Sequence, residues 1–238
     1  MQTLNIARRQ FASYFNGPAA YIVIAQVLLL TGFLFFYIPG AFFLTGRATM
    51  RTLFQMMPFT LMFACPALTM GLLAEEKRNG TLELLATMPV REWEIIVGKY
   101  LAAVGLLGVM LALTIPYPIV VNTLGNLDWG QIWSGYFGLF LEGSALLALG
   151  MMASSFTDNQ LIAFFVAGTL AFGFVIVGYA TPFLSSGLAS VVEQLSFSFH
   201  FESMARGVLD TKDLVFFFSM IFFPLAIAFR GLESRRWK

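Results

Sequence analysis

The chain has 238 residues, 58% of them hydrophobic and 11% charged, with a mean hydropathy of +0.79 and a formal net charge of +1. Soluble domains carry roughly 25% charged residues, so this composition points to lipid as the solvent. The near-neutral balance excludes the concentrated basic surface that a nucleic-acid partner demands.

The opening "MQTLNIARRQFASYF" places Leu4, Ala7, Phe11 and Phe15 at helical spacing, with Arg8, Arg9 and Gln10 elsewhere. This predicts an amphipathic interface helix within residues 1–18, ending at the turn Asn16-Gly17-Pro18. No short apolar core followed by a small-residue cleavage site occurs there, so the first apolar segment is expected to stay in the mature protein. Six apolar runs follow: Ala20–Ile38, Leu53–Leu73, Val97–Val120, Ile132–Ala153, Gln160–Tyr179 and Leu214–Phe229. A hydrocarbon layer of ~30 Å takes about 20 helical residues to cross. The last run is short and holds Pro224. None of the runs alternates as barrel strands do. The predicted fold is a single all-α membrane domain over residues 1–238 with six transmembrane helices.

Six spans put both termini on one side. With that side cytoplasmic, Arg8, Arg9, Lys77, Arg78, Arg91, Lys99, Arg230, Arg235, Arg236 and Lys238 lie inside, and only Arg47, Arg51, Arg206 and Lys212 lie outside. Ten basic residues against four is the positive-inside pattern, so both termini are expected in the cytoplasm.

Between the second and third runs, residues 74–97 crowd charge into "AEEKRNGTLELLATMPVREWEIIV". Glu75, Glu76, Lys77 and Arg78 lead into the turn signal Asn79-Gly80. "TLELLAT" then predicts a short helix from Thr81 to Thr87, which Pro89 stops because it lacks a donor and biases Met88 away from helix. A new helix starts near Arg91, with Trp93 at the water boundary. The short helix shows Leu82, Leu84 and Leu85 with little nearby to bury them, and an apolar face on a cytoplasmic connection calls for a groove on another protein.

Two further places hold unusual chemistry. Glu142 is the one acid well inside an apolar run, where a charge is costly unless paired, protonated or facing water. It either lines a passage or subunit seam, or sits protonated against a neighbouring helix or within reach of water; Gly143, Ser144, Ala145 and Ala148 favour close helix contact there. Residues 181–212 are long for a connection and carry Leu188, Val191, Val192 and Leu195 at helical spacing. One or two short helices on the outer face are predicted, with irregular backbone tolerated where protein or water covers it.

Other chemistries are poorly served. No phosphate-cradling G-x-x-x-x-G-K-[ST] occurs, so the chain does not bind ATP by a P-loop. Cys65, the single cysteine, rules out an internal disulfide and a cysteine-built metal cluster, and its apolar surroundings suit a small buried hydrophobe. His200 is the single histidine; Ser196, Ser198 and Ser203 lie near it without a nucleophile elbow. An intramembrane enzyme is disfavoured, since Glu142 and His200 lie on different segments. An ion-driven carrier is disfavoured because one mid-membrane acid is too few.

The stretch "AEEKRNGTLELLATMPVREWEIIVGKYLAA" resembles the matching segment of ABC-2-type (type V) exporter permeases, through Glu75, Glu76, Gly80, Thr81, Glu83, Leu84, Leu85, Pro89, Trp93, Gly98 and Lys99. "RRQFASYFNGPAAYIV", "SSFTDNQLIAF" and "HFESMARGVLDTKDLVFF" resemble the gliding-motility-associated, GldF-type subfamily. One departure is Gly71, where that subfamily commonly has Arg.

The resemblance implies a permease subunit of the bacterial inner membrane that works with two copies of a P-loop ATPase and a second permease, identical or different. ATP and magnesium would be bound by the ATPase, and this chain would bind no cofactor. Glu75, Glu76, Gly80, Thr81, Leu82, Glu83, Leu84, Leu85 and Pro89 would form the coupling segment. The N-terminal helix would sit beside the ATPase. Outer re-entrant helices before the sixth span would form part of an external gate, with His200, Glu202 and Arg206 as candidates. A motility- or secretion-linked assembly factor driven by the same ATPase is the alternative that this resemblance leaves open.

Overall fold

The computed structural model describes residues 2–37, 49–81, 91–183 and 185–233. Among them the chain is helical, with no strand. In order it forms α1 (Gln2–Phe15), α2 (Pro18–Tyr37), α3 (Arg51–Thr69), α4 (Ala74–Arg78), α5 (Glu92–Ala112), α6 (Pro116–Leu124), α7 (Trp129–Phe156) and α8 (Gln160–Ile176). A 3-10 turn over Val177–Phe183 follows, then α9 (Ser186–Leu195), α10 (Phe197–Ala205) and α11 (Thr211–Glu233).

Six helical stretches among the described residues are long and apolar enough to cross a membrane: Pro18–Tyr37, Arg51–Arg78, Glu92–Leu124, Trp129–Phe156, Gln160–Thr181 and Thr211–Leu232. They coincide with the six apolar runs, and the last is longer than its apolar run because it begins with the polar turn from Thr211. Local signals set several boundaries. Pro18 opens α2, where a missing donor costs nothing. Asp128 caps α7 by accepting from Gly130 N (2.9 Å), and Asn159 caps α8 by accepting from Leu161 N (2.9 Å).

The third run differs from its expectation as one continuous helix. It breaks at Leu113–Ile115 into α5 and α6, because Pro116 and Pro118 withdraw the donors that would serve Ala112 O and Thr114 O. Tyr136 of α7 repairs part of the gap, its hydroxyl donating to Thr114 O at 3.1 Å.

α7 is the axis of the bundle. α3, α5, α8, α10 and α11 all pack on it, and it is buried along most of its length. Lipid tails are as apolar as leucine, so this packing rests on close approach rather than on escape from water. Glycines supply that approach. A Cβ on Gly135 would overlap the Phe54 ring; one on Gly143 would stand 2.7 Å from Leu107, and one on Gly138 2.9 Å from Met204. Gly135→Ala is expected to cost about 1–3 kcal/mol by forcing Phe54 off its site. Thermal unfolding in detergent reads this out, and an unchanged melting temperature would show that the ring has room to move.

The N-terminal helix packs on α5 through two further glycines. Ile6 and Thr3 O sit against Gly98, and the Phe11 ring against Gly105. The face turned inward is therefore Ile6, Ala7, Phe11 and Tyr14, while Leu4 points away at 72% exposure. Helical spacing alone grouped Leu4 with Ala7 and Phe11; the glycine gaps on α5 select a face rotated from that one.

Candidate functional site

The charged connection leaves α3 through a turn, Met70–Leu73, and one short helix, α4. Such a bend strands backbone donors, and they are met from a distant helix. Ser154, near the end of α7 and fully buried, accepts from Leu73 N (3.1 Å) and Ala74 N (3.0 Å) and donates to Met70 O (3.0 Å). One hydroxyl thus serves three backbone groups of the bend, its full capacity. The next residue adds a second tie, since Lys77 Nζ donates to Ser155 O.

A third tie comes from α5. Lys99 is 3% exposed and pairs with Glu76 Oε1 at 2.7 Å, and its ammonium also donates to Leu72 O. The buried ammonium is therefore satisfied by a carboxylate and by an end-of-helix carbonyl, the partners such a charge requires. The last turn of α3, just ahead of the bend, is touched by α1, whose Tyr14 hydroxyl reaches Leu68 O at 3.5 Å. Burial holds that hydroxyl well above its usual range, so it stays a neutral donor.

Beyond α4, Gly80 turns the chain at φ +68°, a left-handed conformation that glycine adopts without penalty, and Thr81 donates its hydroxyl to Glu76 O at 3.3 Å. Glu75 is exposed at the edge of the joint. The remaining coupling-segment residues, Leu82, Glu83, Leu84, Leu85 and Pro89, lie outside the described residues. The chain re-enters at Arg91, whose N–H is met by Glu94 Oε2 at 3.0 Å, and Trp93 is half-exposed at the start of α5.

The resulting joint is mechanical. Met70–Arg78 is fastened to α7 by Ser154 and Ser155 and to α5 by Lys99. A displacement of the arm would therefore reach the most buried span directly. Ser154 and Ser155 were not among the site residues expected from sequence. Their one signal is a pair of hydroxyls at the end of an apolar run, where each must find a partner.

Glu142 lies mid-way along α7 and is fully buried. Neither carboxylate oxygen has a hydrogen-bond partner among the described residues. The helix around it is tightly engaged: Tyr100 donates to Ser144 O (3.1 Å) and Cys65 Sγ approaches Gly143 O (3.7 Å). Cys65 is buried, as its apolar setting suggested.

The 181–212 stretch forms two short helices, α9 and α10. His200 is buried on α10, with Nδ1 2.7 Å from Asp213 Oδ1, Nε2 3.1 Å from Gln194 O, and the Phe216 ring stacked at 4.0 Å. The carbonyl can only accept, so the proton on Nε2 is set by geometry. The pair clasps α10 to the first turn of α11 and to the end of α9. Glu202 and Arg206 are exposed and stand apart from it. Asp213 escaped the sequence reading because it is thirteen residues away and looks like an ordinary first-turn acid.

No group of three or more metal-ligating side chains occurs among the described residues. Residues 42–230 match the model of a family described as ABC-2 family transporter protein. No curated protein matches the chain.

Proposed function

The chain belongs to the ABC-2 transporter family, and from that membership we propose that it is the permease subunit of an ATP-driven exporter, moved by a separate P-loop ATPase seated on the segment after α4. The family and the six apolar helices make it a multi-pass membrane transport component. The exporter role, the ATPase contact and the pairing with a second permease are inferred. So are the bacterial inner membrane and the cytoplasmic placement of both termini, which the ten-to-four distribution of basic residues supports.

The observation that carries the proposal is the fastening of Met70–Arg78 to both α7 and α5. A connection that merely joined two spans would need no such joint. ATP and its magnesium supply the driving free energy in the partner subunit. This chain receives the movement: Leu82, Glu83, Leu84 and Leu85 enter the partner's groove, and Ser154 and Lys99 pass the displacement to the spans. His200 and Asp213 hold the two short helices before α11 as a unit, which suits part of an outer gate. The motif Ser203–Asp213 supports the gliding-motility-associated subfamily.

Co-purification tests the contact. Replacing Glu83 and Leu84 together by Arg should weaken retention of the ATPase at least tenfold, since an apolar anchor becomes a buried charge. Full retention by that variant would remove the docking surface from the proposal.

A further inference from the structure

The two short helices before α11 are held very differently. α10 is anchored without its histidine: Phe197, Phe201 and Met204 are buried, Gln131 of α7 donates to Ala205 O at 2.8 Å, and Ser198 donates to Val175 O at 2.6 Å. α9 buries none of its described side chains and rests on the 3-10 turn and on α10. Its Gln194 O lies in the last turn, where carbonyls lack intrahelical donors, and meets His200 Nε2 at 3.1 Å.

The acceptors around His200 fix a proton count. Gln194 O requires a proton on Nε2. Nδ1 stands 2.7 Å from Asp213 Oδ1, so a second proton must lie between those two atoms, on one or the other. The pair therefore holds one proton more than a neutral imidazole beside a carboxylate. When that proton leaves, one imidazole proton remains for two acceptors. Asp213 is fully buried and its Oδ2 already lacks a hydrogen-bond partner among the described residues. Gln194 is exposed, so its carbonyl can turn to water. Stranding a buried carboxylate costs more than freeing a carbonyl that water reaches. The remaining proton thus stays on Nδ1, and Nε2 turns a lone pair toward Gln194 O.

Other titratable groups lie on the elements around the pair: Arg51 on α3, Asp128, Tyr136 and Glu142 on α7, Tyr179 in the 3-10 turn, Glu193 on α9, Glu202 and Arg206 on α10, and the Asp210–Lys212 ion pair at the start of α11. Among the described residues, none of their side chains bonds to His200 or Asp213.

We propose that His200 and Asp213 form a proton-dependent latch: the shared proton keeps α9 docked on α10, and its loss releases α9 while α10 and α11 stay joined. The docked state binds one proton more than the released state. Docking therefore weakens as pH rises, by up to about tenfold per pH unit across the titration. The latch regulates the outer gate proposed above and rests on that reading only for its effect on transport.

The test uses the full chain without ATPase or nucleotide, so its outcome is separate from that of the transport reading. Spin labels at Leu188→Cys on α9 and Val208→Cys beyond α10, both exposed positions, report the separation. The unsubstituted chain controls for labelling at buried Cys65. From about pH 5 to about pH 10, the distance distribution of the doubly labelled chain should pass from narrow to broad. Adding Asp213→Asn should keep it narrow throughout, because the amide donates to Nδ1 and leaves the Nε2 proton for Gln194 O. A distribution that ignores pH in the labelled parent would overturn the proposal. So would an Asp213→Asn chain that follows the same pH change or releases α9 at every pH. His200 is the only histidine, so nitrogen NMR of the chain carrying isotope-labelled histidine reads the same event without any substitution. Raising the pH should deprotonate Nε2, and loss of the Nδ1 proton instead would overturn the release of α9.

Discussion

Replacing Ser154 by alanine is expected to cost about 3 kcal/mol of stability and to uncouple the arm from the span that carries it. The serine hydroxyl meets two backbone N–H groups and one carbonyl of the bend, at 3.0–3.1 Å. Removing it leaves Leu73 N and Ala74 N inside the protein without that partner, and a buried donor left unmet costs roughly 1–3 kcal/mol. Relaxation of the bend recovers part of this, so the sum is set near one and a half such groups rather than three. Unfolding of the detergent-solubilised chain gives the stability term. The functional term is read in the reconstituted complex, where the ATPase should remain bound while cargo-stimulated hydrolysis falls several-fold. Ser154→Thr keeps the oxygen and should retain most of both. A Ser154→Ala chain that unfolds at the wild-type temperature would show that the bend holds itself.

Lys99→Met is the second large effect, with an expected loss of about 2–4 kcal/mol. Truncating one partner of a buried ion pair costs roughly 3–5 kcal/mol because the other charge is left alone. Glu76 keeps 23% of its side chain accessible, which lets water reach it and lowers the penalty. The informative comparison is the double substitution Lys99→Met with Glu76→Gln. With no charge left to strand, it should recover at least half of the loss, and the difference between the two measures the coupling. Equal stability of the single and double variants would mean that Leu72 O, not Glu76, is the partner that matters. The two predictions separate in function as well. Ser154 ties the arm to α7 and Lys99 ties it to α5, so the first substitution should disturb coupling more than the second at equal loss of stability.

These two residues illustrate what was and was not readable in advance. Lys99 stood within the segment that resembles exporter permeases, yet nothing in its neighbourhood named Glu76, twenty-three positions earlier, as its partner. Ser154 looked like one of several small residues at the end of a span. His200 was conspicuous as the only histidine, but its partner Asp213 was not, because the clasp is formed by folding α10 back on the start of α11. Glu142 was recognised as anomalous from its apolar surroundings alone. Its complete burial, without a hydrogen-bond partner among the described residues, follows from its position on the central helix.

Gly71 shows the same division from the other side. As a letter it marked only a missing charge. In the folded chain it lies against Glu75 and Gln160, where a Cβ would stand 3.3 Å from Glu75 Oε2 and 3.5 Å from Gln160 Nε2.

The amino-acid order alone determined that this is a helical membrane protein with six crossings. It also determined where each crossing lies and that a charged arm separates the second from the third. Those properties depend on run length, charge and proline, all of which are local. Only the tertiary structure decided which span is central, which face of the first helix turns inward and which side chains hold the arm. In lipid the interior and exterior of a bundle are equally apolar, so hydropathy carries no record of which helices meet. That choice is made by the fit of glycines against bulky neighbours and by hydroxyls that must find partners across the fold.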